Sequence, residues 1–369
     1  MKIAFVIGTK AELIKCMPIM AELQRRKQDY LFIHTGQHSL SESCTEFRIK
    51  KPDYVLSKER KLGSKLKSEA GMSSWIWFFS MIFRIRRILK KLGPEYVIYH
   101  GDTISTGAAA IGSSRILNPF KKWKNVHLEA GLRSGSLTEP FPEEIVRRVA
   151  DGFSDILLAV SELSMRNLKR ERPFFVHGRI INAGNTVIDS AAIAYSMAKK
   201  KFSKEKREYA LINMHRHENL KSEERMRKII NIIKNLEIRA IWPMHENTRQ
   251  AFISFGMMRE LENIKNLEIR PLCGYPEFVF LEANCRYLVV DGGSIQEESL
   301  IFRKPCILLR EKTERQEGLS TGINFLTKLN IDYAKKTVKK ILSKDFKVPK
   351  FKNPYGKEGI SEKIVDLLK

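Results

Sequence analysis

Short runs of β-branched and apolar residues recur along the chain, each closing on a small or polar residue and each followed by a stretch with helical spacing. The first series reads "KIAFVIGT", "YLFIHTG", "YVIYHGDT", "VHLEAG" and "ILLAVS"; the second reads "RIINAGN", "YALINMH", "AIWPMH", "LEIRPL", "YLVVDGG" and "CILLR". Strand alternating with helix predicts parallel α/β sheets. Two such series, with a seam between about residues 170 and 185, predict two doubly wound domains, residues 1–178 and 179–369. A helix from about Ile360 ends the second, free to pack back on the first. One stretch breaks the rhythm. "WIWFFSMIF" from Trp75 to Phe83 runs into the basic "RIRRILKKLG". It is far shorter than the ~20 apolar residues of a membrane span. It predicts a core helix with a buried apolar start and an exposed basic end, stopped at Gly93 and Pro94; a basic amphipathic helix on a membrane surface is the alternative.

The residues with chemical possibilities follow the expected strands: Gly8, Thr9, Gly36, His38, Asp102, Glu129, Asn185, His215, His245 and Asp291. In open α/β sheets ligands bind beyond the carboxyl ends of the strands. If both domains obey that rule, groups distant in sequence can meet in one cleft.

Composition narrows the partners. The 369 residues include 66 Lys and Arg against 42 Asp and Glu, a formal charge of +24. The 43% hydrophobic and 29% charged content is that of a folded chain. Basic residues are spread throughout, with no nucleic-acid-binding motif beside them, so the expectation is a solvated basic surface around one anionic small-molecule site. Five scattered cysteines, without paired metal spacing, predict reduced thiols in a cytoplasmic compartment, with neither disulfide nor structural zinc. The first residues lack the features of a signal peptide.

"VIGTKAELIK" places Gly-Thr between a strand and a helix whose N-terminus, with Lys10 and Lys15, suits a phosphate; a plain tight turn explains it equally. "VVDGGSIQEES" repeats the device. Gly292 and Gly293 would admit a ligand to the backbone, Ser294 would cap the helix, and Glu297 or Glu298 would accept from ribose hydroxyls. His215 and His245 end strands of the second half, without zinc-enzyme spacing. The run from Arg310 to Arg315 is either a surface salt-bridge run or a contact for pyrophosphate. Finally, Glu129, Glu139, Glu143 and Glu144 crowd one segment, and Asp102 precedes them. Apposed carboxylates suit acid/base work, whereas solvated loop acids need no explanation.

Taken together, "GTKAELIK", "TGQH", "HGDT", "HLEAGLRSG", "PFPEE", "GNTVID", "HRHEN", "PMHEN", "DGGSIQEE" and "REKTERQEG" occur in an order and spacing that resembles the non-hydrolysing UDP-N-acetylglucosamine 2-epimerases. The resemblance implies GT-B architecture, two Rossmann-like domains with the active site in the cleft between them. It also implies interconversion of UDP-GlcNAc and UDP-ManNAc through 2-acetamidoglucal, with neither NAD nor metal, in a cytoplasmic homodimer. Carried across residue by residue, it assigns Asp102, Glu129 and Glu143 to proton transfer and charge stabilisation. His215 would serve the leaving group or proton transfer. Lys10, Lys15 and the loop of Gly292, Gly293 and Ser294 would hold the pyrophosphate, Glu298 the ribose and Phe278 the uracil. Arg133, Arg147, His245 and Arg315 would line the cleft.

The chain departs from the family pattern in four places: Lys10 with Ala11 for Arg-Pro, Val146 for Asn, His217 for Arg, and a hydroxyl moved to Ser294. A lysine does not reproduce arginine's two-pronged grip on phosphate. The acid set is intact, so the expectation is retained epimerisation with altered affinity or sugar preference. Gln37 and His38 of a second, regulatory sugar site are present, but "KLGSKLKSEAG" is unlike the segment that usually follows. A GT-B glycosyltransferase, a hydrolysing epimerase and a non-catalytic UDP-sugar-binding protein remain as alternatives.

Overall fold

The computed structural model describes residues 2–58, 72–135, 142–172 and 175–369. Residues 61–71, which bear on the second sugar site, and Glu139 therefore lie outside the described residues. Thirteen strands and sixteen helices alternate among those described. The chain begins β1 (Ile3–Ile7), α1 (Lys10–Arg25), β2 (Tyr30–His34), α2 (Ser41–Glu46), β3 (Tyr54–Val55), α3 (Met72–Leu92), β4 (Tyr96–His100) and α4 (Ile104–Ser113). It continues through β5 (Lys124–Ala130), α5 (Glu143–Phe153), β6 (Ile156–Ala159), α6 (Glu162–Glu171), β7 (Arg179–Asn182) and α7 (Val187–Ala198). Then come β8 (Tyr209–Asn213), α8 (His217–Leu220), α9 (Glu223–Lys234), β9 (Arg239–Met244), α10 (Glu246–Ser254), α11 (Met258–Glu262) and β10 (Leu267–Pro271). Last are α12 (Tyr275–Asn284), β11 (Tyr287–Val290), α13 (Ser294–Ile301), β12 (Cys306–Leu308), α14 (Gln316–Leu319), β13 (Asn324–Leu326), α15 (Ile331–Leu342) and α16 (Ile360–Leu367).

All eleven expected strands are present, and all strand pairs are parallel. The chain divides into two compact units, Met1–Ser190 with Tyr355–Lys369, and Ala191–Pro354. The division falls inside α7, not at the expected seam after residue 178, because β7 pairs along its length with β6 as the seventh strand of the first sheet. Helix α16 belongs to this first unit. Its N-terminus is held by Asp189, whose carboxylate accepts from the backbone N–H of Gly359 (2.8 Å) and Ser361 (2.7 Å).

The first sheet runs β3-β2-β1-β4-β5-β6-β7 and the second β10-β9-β8-β11-β12-β13. Both are buried on their two faces, which is why their strands read as unbroken apolar runs. Along β11, Tyr287 and Val289 join one core while Leu288 and Val290 join the other. Helix α1 contains Pro18, which cannot donate to the Ile14 carbonyl. The Ser190 hydroxyl supplies that bond at 2.8 Å.

Helix α3 departs from expectation. Met81, Ile82, Ile85 and Leu89 form its buried stripe, but Trp75, Ile76, Phe79 and Phe83 in the apolar start are all more than half exposed. Apolar residues surround this end of the helix, and one stripe alone faces the core that it shares with α4. No helix among the described residues is long and apolar enough to cross a membrane.

Candidate active site

Each sheet reverses its strand order once, the first between β1 and β4, the second between β8 and β11. Such switch points open a crevice at the carboxyl ends of the strands. In the first unit the turn after β1 is too tight for a side chain at Gly8, where a Cβ would lie 1.9 Å from Ser105 Oγ. Thr9 caps α1 and Glu12 answers it, accepting from the N–H groups of Gly8 (2.6 Å) and Thr9 (2.7 Å). The same carboxylate accepts from the Thr106 hydroxyl at 2.8 Å and from that of Thr103. It thus ties the β1 turn to the start of α4. Burial pushes the Glu12 carboxyl above its ordinary value, although those donors pull it down.

Glu129 is the extra residue of a bulge in β5, where the register passes from Leu128 opposite Leu158 to Ala130 opposite Ala159. Its φ of 67° lies in the left-handed region, at a cost of about 1 to 3 kcal/mol. Bulges re-aim side chains beside functional sites. The buried Glu129 carboxylate accepts from the Lys15 ammonium, and His100 Nε2 lies 3.7 Å away. Asp102, after β4, accepts from the buried Arg147 guanidinium, which also reaches Glu144 at 2.8 Å. Glu144 further accepts from the Ser134 N–H at 3.2 Å and from Arg148. Glu143 is half-buried as the first residue of α5, behind Pro142 at the cap position.

Arg133 is committed to Asp151 (2.7 Å) and Glu171 (2.6 Å). His127 bridges Asp151 at 2.7 Å and the Gly101 carbonyl at 2.8 Å, so it supports the turn that carries Asp102. Burial pushes the Asp151 carboxyl up, but Arg133 and then His127 outweigh it and hold the group below its ordinary value.

In the second unit Asp291, fully buried after β11, accepts from the N–H groups of His215 (3.0 Å) and Arg216 (2.9 Å) and from Asn219 Nδ2 (3.0 Å). This fixes the segment after β8. The His215 ring, 42% exposed, lies 5.2 Å from the His245 ring, and its Nδ1 is 3.0 Å from Asn213 Oδ1. A Cβ on Gly292 would lie 3.4 Å from His215 Cε1, and one on Gly293 would lie 3.1 Å from Arg315 Cζ. The glycine turn is therefore flanked by histidine on one side and arginine on the other.

Gly293, not Ser294, occupies the cap position of α13, and no side chain caps that helix. Ser294 is its first residue. The run from Arg310 to Arg315 is not a surface feature: Arg310, Thr313, Glu314 and Arg315 are buried. Arg315 reaches Glu297 at 3.2 Å and Arg310 reaches Glu314 at 2.8 Å. Glu298 accepts from the Tyr275 phenol at 2.6 Å. Phe278 is packed in the core with Leu211 and Val290, and Lys10 is half-buried as the first residue of α1.

Residues 21–369 match the family model described as UDP-N-acetylglucosamine 2-epimerase. The chain belongs to the UDP-N-acetylglucosamine 2-epimerase family. The Methanocaldococcus jannaschii UDP-N-acetylglucosamine 2-epimerase is 32% identical over 385 residues, spanning 100% of this chain and 99% of that one. The crystal structure of the M. jannaschii UDP-GlcNAc 2-epimerase in complex with UDP-GlcNAc and UDP aligns with a TM-score of 0.85 at 31% identity, covering 100% of this chain and 99% of the other. A Pseudomonas aeruginosa UDP-2,3-diacetamido-2,3-dideoxy-D-glucuronate 2-epimerase is 29% identical over 335 residues, 88% of each chain.

In this family member, Lys15, Asp102, Glu129 and Arg147 are drawn together at the first switch point, and His215, His245, Gly292, Gly293 and Arg315 at the second. Sequence reasoning missed His100, His127 and Asp151, and gave no part to Glu12. Thr9-x-x-Glu12 is a capping-box spacing that was open to reading. The His127–Asp151 contact joins a strand to a helix 24 residues later, and no local pattern signals it.

Proposed function

We propose that this epimerase-family protein interconverts UDP-GlcNAc and UDP-ManNAc at C2 by eliminating and re-adding UDP through 2-acetamidoglucal. The observation that carries this reading is Glu129, buried on a bulge at the first switch point with Lys15 against it. The C2 proton passes to a carboxylate as the C1–O bond to UDP breaks, giving the C1=C2 double bond. Rotated or approached on its other face, the glycal takes a proton at C2 and UDP at C1. Elimination and re-addition leave the oxidation state of the sugar unchanged, so no redox cofactor is called for.

Glu129, Asp102 and Glu143 serve proton transfer and stabilise positive charge on the ring. Lys15 and Arg147 hold Glu129 and Asp102 in place. His215 assists the departing UDP, which Lys10, Arg315 and the Gly292–Ser294 turn bind through its pyrophosphate, with Glu298 at the ribose. The five free cysteines fit a cytoplasmic site of action. The exposed apolar face of α3, with Trp75, Ile76, Phe79 and Phe83, supports a homodimer. Sedimentation would show a dimer that Phe79→Asp with Phe83→Asp converts to monomer.

The test is incubation with UDP-GlcNAc in D2O, without NAD or added metal, followed by proton and phosphorus NMR. UDP-ManNAc carrying deuterium at C2 is the expected product. Free ManNAc with UDP would replace this reading by the hydrolysing one. An unchanged spectrum despite UDP binding would favour a different UDP-2-acetamido sugar, for which the P. aeruginosa relative's substrate is the first to try.

A further inference from the structure

Glu282 stands out among the buried groups that the proposed reaction does not use. It lies on α12 between apolar neighbours, Phe278, Leu281 and Cys285, and is fully buried. Among the described residues, neither of its carboxyl oxygens has an N–H or hydroxyl hydrogen-bond partner. Among the polar groups beside them is another carboxyl, that of Glu298 on α13. Two buried carboxylates against each other cannot both be ionised, so the pair holds a proton. Glu298 already accepts from the Tyr275 phenol at 2.6 Å, which favours its ionised form. Glu282 has no such donor. The proton therefore belongs on Glu282, beside Glu298.

We infer that Glu282 is a positioning residue: its protonated carboxyl, with the Tyr275 phenol, fixes Glu298 as a single oriented carboxylate for the hydroxyls of a nucleoside ribose. The inference rests on the proposed role of Glu298 at the ribose. It explains why an acid is kept at a core position where a leucine would pack.

A consequence follows for pH. The groups around Glu282 are Glu298 on α13, Lys304 before β12, Cys285 at the end of α12 and Cys306 in β12, with Tyr275 at the start of α12 reaching Glu298. Burial pushes both thiols and the phenol above their ordinary values. Burial and then Glu298 push Glu282 itself well above the usual carboxylate range. Loss of its proton on the alkaline side would set two negative charges together and move Glu298 away from the ribose.

The experiment is calorimetric titration of the full chain with UDP between about pH 5 and about pH 9, for the unaltered protein, Glu282→Gln and Glu282→Leu. The unaltered protein should lose UDP affinity on the alkaline side. Glu282→Gln, whose amide donates without titrating, should keep near-normal affinity and lose that alkaline limb. Glu282→Leu should bind UDP roughly tenfold or more weakly than the unaltered protein on the acid side, as expected for a lost hydrogen bond to a charged group, and should show no alkaline limb. A UDP affinity with no alkaline limb in the unaltered protein, or one equally pH-dependent in Glu282→Gln, overturns the inference; both readouts survive if Glu282→Leu fails to fold. If the unaltered protein does not bind UDP at all, the functional reading falls and takes this inference with it. UDP binding that ignores all Glu282 variants overturns the inference alone.

Discussion

The two switch points solve the same problem with different residues. In the first unit Glu12 reaches back from α1 and joins the β1 turn to the start of α4; in the second, Asp291 at the end of β11 holds the segment after β8. Each is a buried acid satisfied by backbone N–H and neutral side-chain donors, and each ties together the segments that flank a reversal of strand order. What stands beside them differs. The first unit sets carboxylates against cations, Glu129 on Lys15 and Asp102 on Arg147. The second sets two imidazoles and an arginine around a glycine turn. On the function proposed above, the first unit would exchange a proton through its carboxylates, and the second would bind the diphosphate, with Arg315 shared between it and Glu297.

Glu129→Gln tests this division of labour most directly. Turnover should fall by about 100- to 10,000-fold, the range for losing a general acid or base, while calorimetric UDP affinity stays put. A parallel collapse of UDP binding would show that the two units do not divide the work. Next in size is Arg147→Met, which takes the cation from Asp102 and leaves the buried Glu144 to Arg148 and the Ser134 N–H. Urea unfolding should register a loss of about 3 to 5 kcal/mol. Glu12→Gln and Asp291→Asn turn an acceptor oxygen into a donor facing N–H groups, and each should cost about 1 to 3 kcal/mol in the same measurement. Equal losses would support the equivalence of the two stitches, and a neutral Asp291→Asn would end it.

The smallest effect is in the acid limb of stability. Asp151 is held below its ordinary value, so the unfolded chain binds its proton more readily. Its contribution is present above the usual carboxylate range and is lost as pH falls through the depressed value. Glu12, raised by burial, has the opposite sign and weakens the fold as pH rises from its ordinary value towards its folded one. Asp151→Asn should therefore flatten the acid side of a stability profile measured by thermal unfolding, whereas Glu12→Gln should flatten the side above it.

Strands buried on both faces were legible because four or more apolar residues in a row leave a strong signal. β3 and β13, of two and three residues, leave none. The misread start of α3 has a related cause: composition marks residues as apolar but does not say which side of a helix meets the core. At the site, strand-end placement singled out Asp102, Glu129 and His215 because it marks positions at the carboxyl edge of a sheet. It did not reveal that Lys15 meets Glu129 across 114 residues, since that pairing depends on how α1 packs on the sheet. Nor did it reveal Glu282, which sequence marks only as a polar interruption of a helix that is otherwise largely apolar.

Helix α16 carries a consequence for how the protein is made. Asp189 binds it at one end and Arg26 meets Asp366 at the other, so the first unit is finished by the last residues of the chain. During synthesis the strands of the first sheet emerge early but must wait through the whole of Ala191–Pro354 for their final helix. The inserted unit, contiguous in sequence, can close before its host does. Domains generally fold as units in the order they leave the ribosome. Here the inner unit is contiguous while the outer one resumes after it, and a chain stalled short of Ile360 would lack the helix that Asp189 and Arg26 hold.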